Sequence, residues 1–247
     1  MPGIRTTDGA DLQLRLEMNV KTGEITVPMA LLRTDTWPFW LAEAVSAAVA
    51  AAEIDPITQE SLADNDEVTR LLVAELRASM RTFTSCAFAI DAFYASVKAR
   101  SPAHPQQAVW HKKGTARHKQ VAETLRHHLQ VRSNEASKLL SNRIQEIFRF
   151  RDWAVHPGSQ FKQAIHRPDV DAAVDWHFIA FSTSNALAGV ANTIQLFDHM
   201  VNALSRGSDE LAKRQPAARE AMDHVLDAYE SSDKLLKIGR AEPPGGD

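Results

Sequence analysis

From Asp64 to Ala99, apolar residues recur at helical spacing, with Leu72, Leu76, Phe83, Ile90, Tyr94 and Val97 along one stripe. A helix of that length has to lay its stripe against other elements, and the chain supplies more helices to cover it. A polar cap before W-P-F-W, with proline in the first turn, starts a helix at Thr36 that runs to about Ile54, where Asp55-Pro56 ends it. S-P-A-H-P breaks the long helix. Further helices are predicted at about 115–131, 134–155, 169–204 and 208–237.

Ahead of the helices the period changes to two. Leu12, Leu14, Leu16, Met18 and Val20 alternate with polar residues, and Ile25, Val27, Met29 and Leu31 repeat the pattern after K-T-G-E. This predicts a β-hairpin with its turn near Gly23, and Pro28 marks its strand as an edge. A lone ribbon is marginal in water, so its apolar face should lie on helices or on another chain. The reading is an all-α helical bundle with a short N-terminal hairpin. It divides into a hairpin extension at 1–35, a bundle at 36–205, a C-terminal helix at 206–240 and a disordered tail at 241–247.

Composition narrows the class of protein. The chain has 247 residues, 44% hydrophobic and 24% charged, enough to bury a real core. Its single cysteine, Cys86, excludes an internal disulfide framework and a thiolate metal cage, and its apolar setting reads as core. Met1 to Ala10 is polar, and the most apolar run, Ala42 to Ile54, is too short to span a bilayer, so the expectation is a cytoplasmic protein without a membrane partner. Charge is uneven. Between Lys98 and Lys162 there are 13 Lys or Arg against 4 Asp or Glu, in a chain of net charge −3. Lys112, Lys113, Arg117, Lys119, Arg126 and Arg132 form the densest part, which is either a solvated helix face or a surface that neutralises RNA phosphates.

That basic half contains F-R-F-R-D-W-A-V-H-P-G, residues 148–158. Around Ile144, the residues Leu140, Ile147, Phe148, Ala154 and Val155 form an apolar stripe, and Arg151 falls within about 20° of its centre at the helical 100° per residue. A guanidinium keeps its charge, so it needs an acidic partner or an arriving anion. Asp91, flanking the stripe of the long helix, is the internal candidate. Pro157 should turn His156 out of the helix and free it to swing back towards Arg151, with Asp152 placed to orient or charge the imidazole. An Asp152–His156 helix cap is the plainer reading of the same pair. Arg219 and His224 share the spacing, but their helix runs on and His224 points away from the apolar stripe.

R-D-W-A-V-H-P resembles the R-x4-6-H motif of the HEPN superfamily, and F-A-I-D-A-F-Y-A-S-V-K is similar to an early helix of those domains, in which a polar or acidic residue faces the motif. The resemblance covers about 64–204, with Asp152 where the family more often has Asn. It implies a helical bundle and, in active members, a metal-independent endoribonuclease of toxin or defence type. Such an enzyme is a homodimer that places two Arg–His motifs across one cleft, and an antitoxin or regulatory protein is a further possible partner. Arg151, His156 and Asp152 would then be the catalytic group, Asp91 would support them, and the basic residues above would hold RNA. No cofactor or metal is expected. Other HEPN proteins have kept the bundle without the activity, which leaves a non-catalytic binding or dimerisation module as the alternative.

Other chemistry scans poorly. H-E-x-x-H, G-x-x-x-x-G-K and G-x-S-x-G are all missing from the sequence. His127 and His128 point about 100° apart on a helix and read as surface residues. Trp37, Trp40, Trp153 and Trp176 read as packing.

Overall fold

A computed structural model of the chain describes residues 10–19, 22–23, 25–54, 57, 64–156 and 163–241, and for 10–18, 25–33 and 111 it describes the backbone alone. Strands β1 (Ala10–Met18) and β2 (Ile25–Thr34) pair antiparallel, with Leu12 opposite Leu32 and Glu17 opposite Thr26. The register slips between Arg15 and Glu17, where Val27 and Pro28 face Leu16. Proline has no amide to donate, and a bulge is where a ladder tolerates it. Gly23 takes the positive φ of the turn, +69°. The side chains of the hairpin's apolar face lie outside the described residues.

The rest is mostly helical, as the periodicity predicts. Helix α1 (Trp37–Ala52) packs along α2 (Asn65–Ala99), whose N-cap Asp64 accepts the amides of Asp66 and Glu67 at 2.9 and 3.2 Å. A short α3 (Gln107–Lys113) follows the S-P-A-H-P break, where the sequence predicts no element. Helices α4 (Arg117–His128) and α5 (Asn134–Val155) form a helical hairpin against α2.

The long helix expected over 169–204 is interrupted. The chain instead forms β3 (Ile165–Arg167), β4 (Ala172–Val174), a short α6 (Trp176–Ala180) and then α7 (Thr183–Ala203). Tertiary bonds overrule the periodicity here. Arg167 is buried and bonds Glu75 of α2 at 2.6 Å, Asp169 at 2.8 Å and the Phe178 carbonyl at 3.0 Å. Glu75 also accepts the Thr183 amide at 2.7 Å, which fixes the start of α7. Helix α8 (Asp209–Glu230) ends sooner than expected. The chain beyond it folds back, and the Tyr229 hydroxyl donates to the Leu236 carbonyl at 2.7 Å. The tail from 242 onward lies outside the described residues.

The core lies between α1, α2, α4, α5, α7 and α8. Trp37, Phe93 and Phe197 pack edge-on and stacked with ring centroids 5.3–5.7 Å apart, and Cys86 is fully buried beside them. Phe83 of α2 stacks on Phe150 of α5 at 3.9 Å. Gly189 of α7 permits that stack, because a Cβ there would meet the Phe83 ring at 2.5 Å. Trp40 departs from its expected packing role: it is 38% exposed and lies against Phe88, itself exposed.

Candidate functional site

The α4–α5 hairpin sets the start of α4 beside the end of α5, and α2 passes both. Arg117 is the first residue of α4, and Arg151 lies in the last turns of α5. Asp91 of α2 joins them. Arg117 donates through Nε and Nη2 to Asp91 Oδ1 at 3.1 and 2.8 Å, and Arg151 donates through Nη1 to Oδ2 at 3.4 Å. Arg151 also donates through Nε and Nη2 to Asp152 Oδ1, at 3.0 and 2.7 Å. Each guanidinium lies on an aromatic ring as well, Arg151 over Phe148 at 4.3 Å and Arg117 over Tyr94 at 4.4 Å. The charges alternate along the row Arg117, Asp91, Arg151, Asp152 and sum to zero.

Asp91 is thus the internal partner the sequence suggested for Arg151, but it is shared, and its shorter bonds go to Arg117. The placement of Arg151 differs from the wheel. Stacking on Phe83 draws Phe150 into the core while Val155 turns outward, so the buried face of α5 rotates and Arg151 moves to its rim. Its side chain is 21% exposed. That outcome follows from the cost of burying a charge that cannot be lost.

His156 ends α5 as expected. Its backbone leaves the helical region at φ −122° and ψ 68°, and its amide donates to the Asp152 carbonyl at 2.8 Å. Pro157 lies outside the described residues. The His156 imidazole is exposed and has no hydrogen-bond or ionic partner among the described residues. Asp152 holds Arg151 instead of orienting the imidazole as the sequence suggested.

One residue at this site escaped the sequence reading. His118 follows Arg117 and shares the inner face of α4 with Val121, Ala122, Leu125 and Leu129, all buried. Its Nε2 is buried without a hydrogen-bond partner. Burial pushes its pKa down, Lys119 adds to that, and the Asp152 carboxylate pulls the other way. The i, i+3, i+4, i+7 spacing from His118 to Leu125 was the available signal.

The basic surface is thinner than the sequence count suggests. Arg117 is tied to Asp91, and Arg126 to Glu123 at 2.6 Å. Lys112, Lys113 and Lys119 are exposed without a carboxylate partner among the described residues, and exposed Arg132 touches Gln130 at 3.1 Å. The second Arg–His spacing is structural: Arg219 is held by Asp198, Asn202 and Asp223, and His224 faces outward. His127 is exposed as expected, but His128 is buried and shares an aromatic cluster with His104, His127 and Trp110. Among the described residues no group of three or more His, Cys, Asp or Glu is arranged to hold a metal, and no helix is long and apolar enough to cross a membrane. No protein-family model matches the chain, and comparisons with curated proteins and with solved structures gave no match.

Proposed function

We propose that this chain is a HEPN-like endoribonuclease of toxin or defence type that cuts RNA without a metal, using Arg151 and His156. The observation that carries the reading is the state of Arg151. Asp91 and Asp152 orient it at the bundle rim, and they engage three of its five N–H donors in the bonds above. The other two remain for a phosphate and its developing charge. His156, exposed at the end of the same helix, takes or gives the proton of the 2′-hydroxyl attack. Two such motifs across a homodimer cleft would supply a base and an acid. Lys112, Lys113, Lys119 and Arg132 are exposed to hold the strand.

The row of alternating charges favours a second reading. With two carboxylates on it, Arg151 is neutralised within the fold, which suits a non-catalytic binding or dimerisation module. RNA cleavage in excess chelator, with analysis of the product ends, separates the two. The nuclease reading expects 2′,3′-cyclic phosphate ends and sedimentation as a dimer at micromolar concentration. RNA or partner binding without any cleavage supports the module.

A further inference from the structure

Arg117 has a second neighbourhood besides Asp91. It lies at a cavity of about 210 Å³ that is also lined by Tyr94, Lys98, Trp110, Thr124 and His128. Three of these residues are more than nine-tenths buried and have polar groups that bond no other described residue. Thr124 is 2% exposed, Tyr94 7% and His128 8%. The helical threonines Thr82, Thr84 and Thr193 each donate to the carbonyl four residues back, at 3.0, 2.9 and 2.8 Å. Thr124 does not. Neither its hydroxyl, nor that of Tyr94, nor the ring nitrogens of His128 have a hydrogen-bond partner among the described residues. His104, 7% exposed on the same wall, has its Nε2 buried without a hydrogen-bond partner among the described residues, and a buried donor left unpaired is costly, so this polar wall marks a seat for something that pairs it.

The charge of the lining says what kind of molecule fits. Among the described residues the cavity wall contains no Asp or Glu, while Lys98 and Arg117 both lie on the Tyr94 ring, at 5.9 and 4.4 Å. An anionic group is therefore favoured near Lys98, and Arg117, though bonded to Asp91 through Nε and Nη2, keeps the donors of Nη1 for it. An inorganic anion offers mainly acceptors and no planar array of donors, whereas two hydroxyls and an imidazole both donate and accept. Burial first, then His127 and His104, holds the pKa of His128 down, so its ring is neutral and has one donor and one acceptor nitrogen. A nucleobase edge offers donors and acceptors in one plane, and the stacked His104–Trp110 pair, with ring centroids 4.5 Å apart, lies on the same wall.

We propose that this cavity binds a nucleoside phosphate, free or as one unit of an RNA strand, with the base edge on Tyr94, Thr124 and His128 and the phosphate on Lys98 and Arg117. In its RNA form the proposal rests on the reading above, because Asp91 links Arg117 to Arg151 and makes the seat adjoin the motif.

Calorimetric titration of the full chain with AMP, GMP, CMP, UMP and inorganic phosphate, and with a six-nucleotide RNA, tests it. At least one nucleotide or the RNA should bind tighter than inorganic phosphate by roughly tenfold or more, and Thr124→Val and Tyr94→Phe should each weaken it by about tenfold. RNA bound without any free nucleotide places the seat in strand recognition. Nucleotide binding without cleavage keeps the seat and removes the nuclease reading. Inorganic phosphate bound as tightly as every nucleotide and the RNA overturns the seat. So does binding left unchanged by both folded variants, and so does no binding of nucleotide or RNA at millimolar concentration, even if RNA is cut.

Discussion

Removing Arg151 tests whether the charge row at the end of α5 is a rim feature or a buried ion pair. In Arg151→Ala, Asp91 keeps its two bonds from Arg117 at 3.1 and 2.8 Å, so its carboxylate is not stranded. Asp152 is 57% exposed and returns to water. The direct losses are a partly exposed ion pair, about 0.2–1 kcal/mol, and a cation–π contact over Phe148, about 0.5–1 kcal/mol. Together they give a loss of about 1–2 kcal/mol, or a Tm lower by about 2–8 °C for a chain of this size. A buried pair broken on one side would cost about 3–5 kcal/mol. Urea unfolding of wild type, Arg151→Ala, Asp91→Asn and the double variant measures the loss and the coupling. A loss above about 3 kcal/mol would mean that Asp91 depends on Arg151 rather than on Arg117. A gain in stability would mean that the carboxylates do not hold Arg151 at all.

Three further outcomes follow from the fold. Arg167→Ala leaves the buried Glu75 carboxylate with only the Thr183 amide as a bonded partner among the described residues and should cost about 3–5 kcal/mol in urea unfolding; a cost under 1 kcal/mol contradicts the latch between β3 and α2. Gly189→Ala gains about 1 kcal/mol of helix propensity. Because Phe83 is pinned by Phe150, overpacking of about 1–3 kcal/mol should still lower Tm, and a raised Tm refutes the close contact. Burial holds the imidazoles of His104, His118 and His128 below their ordinary pKa, with His127 adding to the effect on the first and last and Lys119 on His118. The unfolded chain then takes up protons first as pH falls below about 6.5, so this stability is full above that value and lost below it. Urea midpoints should fall between pH 7.5 and pH 5.5, and equal midpoints contradict the burial of these rings.

Much of the architecture was legible because periodicity is a local signal. Asp64 and Val155 bound their helices where the sequence pattern and the coming proline place them. The alternation either side of Gly23 gave the hairpin. The helix expected over 169–204 failed because no local pattern announces that Arg167 will pair with Glu75, almost a hundred positions earlier. The wheel put Arg151 at the stripe centre because it weighs each apolar residue alike, whereas the Phe83 stack gives Phe150 priority over Val155. Asp91 was recognisable as a partner from its flank position. Its sharing with Arg117 was not, since that depends on how α4 folds back along α5. The cavity beside Arg117 draws on α2, on the loop around His104 and on α3 and α4, and no single stretch of sequence contains it.

The most direct test of the account is the single-turnover rate of cleavage of an unstructured RNA in excess chelator, for wild type against His156→Ala. His156 sits exposed at the helix end, so the variant should unfold at the wild-type midpoint while its rate falls by about 10²–10⁴-fold. A variant that cuts at the wild-type rate, or a wild type that leaves the RNA intact at every concentration, contradicts the assignment of Arg151 and His156 as a working pair.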